Sequence, residues 1–85
     1  MTSIQCAERV VAEGMQLIRA RQGGKGQYDC KPCVGSKRGW SILDGLTACA
    51  IMAVYNALNP EMQVKAHTRR ITTLADFALS RVAMR

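Results

Sequence analysis

Apolar positions along the chain fall into four stretches with helical spacing and one stretch without it. In the densest run, SILDGLTACAIMAVYNAL at 41–58, only Thr47, Tyr55 and Asn56 carry polar atoms after Leu46, and apolar side chains fall on every side of a helix. A helix that is apolar all round is a buried helix. Ser41 with Asp44 three residues later reads as a capping-box variant, so a central helix is predicted over 42–58. Gly45, Cys49, Ala53 and Ala57 would line it with a ridge of small side chains, on which a second helix is expected to pack closely.

At the start of the chain, Thr2 and Gln5 form a T-x-x-Q capping box, and Ala7, Val10, Val11, Gly14, Leu17 and Ile18 follow at i, i+3, i+4, i+7 spacing. This predicts a helix over 3–21, ended by Gly23-Gly24, with Gly14 inside it at a cost of about 1 kcal/mol relative to alanine. Asn59-Pro60 closes the central helix and opens a short one over 60–67. The residue before a proline is pushed out of α geometry, and proline itself suits a first helical turn. Ile71, Leu74, Ala75, Ala78, Leu79 and Val82 predict a last helix over 71–84. Between the first two helices, 22–40 holds five of the seven glycines and reads as a long loop, with a short hairpin around 28–34 as its one candidate element. The fold class predicted is all-α: a bundle of three to four helices around a buried central helix, in a single domain over 1–85.

Charge adds a constraint on partners. Twelve Lys and Arg against six Asp and Glu give a net charge of +6, which favours polyanions or acidic protein surfaces. The N-terminal residues lack the basic-then-apolar pattern of a secretory signal, and the apolar run 46–58 is shorter than the about 20 residues of a membrane span. The expectation is a cytoplasmic protein (host cytoplasm if phage-encoded) with its four cysteines reduced.

Cys30-Lys31-Pro32-Cys33 is the sharpest motif. Its spacing is that of thioredoxin-like disulfide exchangers, which place the first cysteine at a helix N-terminus in a βαβ context; no parallel-strand pattern accompanies it here. A C-x-x-C is also half of a tetrahedral zinc site, for which Cys30, Cys33 and His67 are the candidate ligands of a zinc-braced module. Otherwise no cofactor is expected. Gly24-Lys25-Gly26 and Gly35-Ser36-Lys37 do not fit a phosphate-binding loop. The carboxylates are dispersed and the single histidine has no Ser or Cys partner nearby in sequence, so no catalytic group is assigned and the chain is not expected to be an enzyme.

Two binding functions remain. In the preferred one, a non-catalytic protein–protein interaction module uses Trp40, Lys31, Lys37, Arg38, Tyr55 and Met52 to hold a host protein or complex. A homodimer is expected, since the central helix has more apolar circumference than its neighbours can cover. Small basic chains of this kind are often phage or mobile-element accessory proteins that inhibit a host machine. The alternative is a basic nucleic-acid-binding protein using Lys25, Lys31, Lys37 and Arg38 of loop 22–39 with Lys65, Arg69 and Arg70.

Overall fold

The computed structural model describes residues 1–22 and 26–83, with side chains as far as residue 80. Gly23, Gly24 and Lys25 lie outside the described residues, as does the predicted end of the last helix at 84. Helix α1 (Ser3–Glu13) starts as its sequence predicts: Gln5 N–H donates to Thr2 Oγ1 at 3.2 Å and Thr2 N–H to Gln5 Oε1 at 2.8 Å. It stops well before residue 21. Gly14 is its cap rather than an interior residue, turning the chain at φ +92° while its N–H still reaches Val10 O at 2.8 Å.

Beyond this turn the chain is extended, and the all-α prediction fails. Strands β1 (Gln16–Ala20), β2 (Tyr28–Pro32) and β3 (Ser41–Leu43) form an antiparallel sheet in the order β2-β1-β3. Leu17 and Ile18 fit a helical period as continuations of Val10 and Val11, but as strand residues they point to opposite faces. Ile18 stands opposite Cys30 and Ser41, and Leu17 opposite Lys31 and Ile42. The hairpin expected within 28–34 does not form either, because residues 28–32 pair with β1 instead of folding back on themselves.

Helix α2 (Gly45–Ala57) begins three residues later than predicted, since Ser41 and Ile42 belong to β3. Asp44 is its N-cap, accepting from Thr47 N–H at 2.7 Å. This backbone bond holds the Asp44 carboxyl below its ordinary value. The helix is not buried all round. Ala48, Ala50 and Ile51 are buried, whereas Gly45, Cys49, Ala53 and Ala57 all face solvent, so no helix packs on the small ridge. Helices α1 and α4 cover the buried side, and the side left open carries the small ridge together with Leu46. Helices α3 (Pro60–Ala66) and α4 (Ile71–Ala83) follow with nearly the predicted bounds, α3 capped by Asn59 through Met62 N–H at 2.9 Å.

One face of the sheet carries the core. Ile18, Tyr28, Cys30 and Leu43 meet Ile4, Cys6, Ala7 and Val10 of α1 and Ala48, Ala50 and Ile51 of α2, with Ala66, Ile71 and Ala78 closing the far side. Helix α1 lies against β1 and β2, α2 packs on α1, and α4 packs on α2. On the opposite face Leu17 is also fully buried, and Trp40 lies beside Arg19 and Lys31, each cation 4.4 Å from the ring centroid.

The connection from β1 to β2 meets the turn between α3 and α4 at Gly26. A Cβ there would stand 2.8 Å from the carbonyl carbon of Thr68 and 2.9 Å from His67 O, and the residue has φ +70°. Gly26→Ala is therefore expected to destabilise by more than about 1 kcal/mol in urea unfolding, since both conformation and space oppose a side chain. Ala53→Leu, on the exposed ridge, is expected to shift stability by no more than about 0.5 kcal/mol in the same assay.

Candidate binding surfaces

Two openings flank the α3–α4 turn, and each has its own chemistry. The first is a groove among α2, α3 and α4 with a volume of about 220 Å³. Ile51, Val54, Leu58 and Leu74 supply apolar walls, Met62 and Phe77 are partly exposed beside them, and Lys65 and Arg69 also line the opening. Small-molecule pockets usually enclose about 300–1,000 Å³, so this groove suits one or two apolar side chains of a docked chain better than a cofactor.

Tyr55 lines the same groove, and its orientation is set by His67. The Tyr55 hydroxyl is 3.0 Å from His67 Nε2, and the two rings meet edge to face with centroids 5.5 Å apart. His67 Nδ1 is 2.8 Å from Thr2 Oγ1, the oxygen that caps α1. With both ring nitrogens hydrogen-bonded, His67 ties the start of α1 to α2 and has no lone pair directed at a metal.

The second opening is a broader cleft of about 940 Å³ where β1 ends, β2 and β3 begin, and the 68–72 turn crosses. Arg19, Arg21, Arg69 and Arg70 line it. Asp29 beside it binds two of them, Arg19 at 3.1 Å and Arg21 at 3.5 Å. Among the described residues neither Arg69 nor Arg70 pairs with a carboxylate.

The residues singled out in the sequence are dispersed between these places. Trp40 and Lys31 lie together on the outer sheet face, Tyr55 is in the groove, and Met52 packs against the core. Lys37 and Arg38 are exposed on the segment before β3 and line neither opening, although Gly39, the next residue, lines the second. Lys65 is 3.7 Å from Glu61 on the same helix face. Of the nucleic-acid set, Arg69 and Arg70 reach the cleft; Lys25 lies outside the described residues. Arg19 and Arg21 were missed because a helix over 3–21 would direct them elsewhere. Their alternation with Ile18 and Ala20 is a strand signal, but it is too short to stand out.

The two cysteines of the C-x-x-C sit in different settings. Cys30 faces the core, where its thiol donates to Gln16 Oε1 at 3.7 Å and contacts the Cys6 thiol, while Cys33 lies past the end of β2. Among the described residues no three His, Cys, Asp or Glu side chains lie close enough to share a metal ion. Nor is any helix among them long and apolar enough to cross a membrane. No protein-family model matches the chain, and comparisons with curated proteins and with solved structures likewise find no match.

Burial pushes the Cys6 thiol up from 9.0 to about 12, and the adjacent Cys30 adds to the shift. Because the folded chain holds the proton more tightly than the unfolded one, this thiol's contribution to stability is complete below pH 9.0 and declines as pH rises toward about 12. Iodoacetamide at pH 8, read by peptide mass spectrometry, is expected to modify the exposed Cys49 in the native protein and Cys6 only after denaturation.

Proposed function

We propose that the protein acts by binding, as a non-catalytic protein–protein interaction module whose α2–α3–α4 groove takes an acidic, amphipathic segment of a partner. The observation that supports this reading is the pairing of apolar walls with cations in one opening: Ile51, Val54, Leu58 and Leu74 beside Lys65 and Arg69. An amphipathic helix laid in such a groove buries two anchors, at i and i+3 or i+4, while its acidic residues meet the cations. Charge favours a different protein over a second copy, since each copy carries +6 and a symmetric contact through the groove would bring like-charged edges together. Holding a segment that the partner needs elsewhere is itself a way to block it. A phage or mobile-element accessory protein would inhibit a host machine in that way.

The test uses labelled helical peptides with leucine anchors at those spacings and acidic residues between them. Amide chemical shifts are expected to move at residues lining the groove, and Met62→Glu is expected to weaken binding at least about tenfold, the effect of losing roughly 1.4 kcal/mol. Met62 is 44% exposed, so the variant should fold. Equal binding of a peptide with the same composition in scrambled order, or no shifts in the groove, would overturn the proposal.

A further inference from the structure

We infer that the arginine-lined cleft is a second binding site, for the phosphate backbone of an unpaired nucleic-acid strand. Three of its arginines, Arg19, Arg21 and Arg70, lie outside the groove, and Arg69 is shared between the two openings. Arg19 and Arg21 come from the end of β1, Arg69 and Arg70 from the turn before α4, and both pairs line one recess of about 940 Å³. A solvated basic face would spread its cations apart. Here like charges from two distant parts of the chain are brought to a common opening, and the fold holds them there at fixed points. Gly26 sits against His67 and Thr68 at a distance no other residue type allows without a shift, and the Tyr28 hydroxyl accepts from Ile71 N–H at 3.0 Å, locking the turn that carries Arg69 and Arg70.

The electrostatics of the cleft are unbalanced in favour of an anion. Among the described residues the lining carries four arginines and no carboxylate, and Asp29 beside it serves Arg19 and Arg21 together. Each guanidinium has five N–H donors in a planar fork that matches phosphate oxygens. The exposed Thr72 adds a hydroxyl to the lining, and the first turn of α4 contains no acidic residue to repel an anion. A strand with one phosphate per nucleotide supplies repeated charges along a path and can enter a recess. A duplex is a convex cylinder and would meet the rim alone. The Trp40 ring, with Arg19 and Lys31 over it, is not offered to bases as a stacking platform, so recognition rests on the backbone and is indifferent to sequence.

The test is fluorescence anisotropy with a labelled 15-nucleotide single strand of mixed sequence between 50 and 200 mM salt. Engaging about three phosphates predicts a log–log salt slope near −2. Arg21→Gln and Arg70→Gln are each expected to weaken binding several-fold, and together by at least tenfold with a shallower slope; both side chains are exposed, and circular dichroism verifies folding. Arg9→Gln, on α1 and outside the lining of either opening, matches each single variant in charge and serves as the control, leaving affinity within twofold. The inference is overturned by an absence of binding at 50 mM salt, by equal losses in the control, by a duplex binding as tightly as the single strand, or by displacement with millimolar inorganic phosphate, which would indicate a site for single phosphates. Met62→Glu should not alter strand binding, so this result and that of the groove can fail independently.

Discussion

The fold depends on one seam, where the backbone of His67 and Thr68 passes against Gly26. Around that contact the chain is fastened from several directions. Ser3 N–H donates to Gly26 O at 3.2 Å, Ser3 Oγ donates to Ala66 O at 3.4 Å, and His67 bridges Thr2 and Tyr55. The start of α1, the entry to β2, the body of α2 and the turn into α4 therefore meet within a few residues. Such polar contacts are individually modest, about 0.5–1.5 kcal/mol each, but in a chain of this size they set which surfaces face one another.

That seam also separates two surfaces with different chemistry. On one side the helices leave an apolar groove, and on the other the sheet end and the α4 turn leave a cationic cleft; Arg69 lines both. A partner bound in the apolar groove would gain affinity from area removed from water. One bound in the cleft would rely on charge and weaken as salt rises. A positive chain can thus offer two kinds of contact without either one using the small-residue ridge of α2, which remains exposed.

The thiols illustrate how spacing alone misleads. Cys30 and Cys33 are close in sequence, and a motif is easy to read there. In the structure Cys30 points across the sheet to Cys6 of α1, because alternate residues of a strand face opposite sides and residue 30 falls on the core side with Tyr28. The relevant neighbour was far away in sequence, with nothing in the local pattern to indicate it.

Local signals were legible where the physics is local. The Thr2–Gln5 capping box, the Asn59-Pro60 junction and the apolar spacing of α4 each involve residues within a turn or two, and each is present in the structure. The sheet was not legible. Its strands are at most five residues long, and β1 retains a spacing that fits a helix equally well, so only pairing with β2 and β3 decides between the two periods. Burial of α2 was misjudged for a related reason: its composition says that it is apolar, but which side is covered depends on where α1 and α4 lie. By itself the sequence determined where α1, α3 and α4 start, how much positive charge the chain carries and which residues are able to enter a core. The tertiary structure alone decided that residues 16–20 are extended and that Arg19 and Arg21 line one recess with Arg69 and Arg70, because backbone pairing and the packing at Gly26 join segments that no local pattern connects.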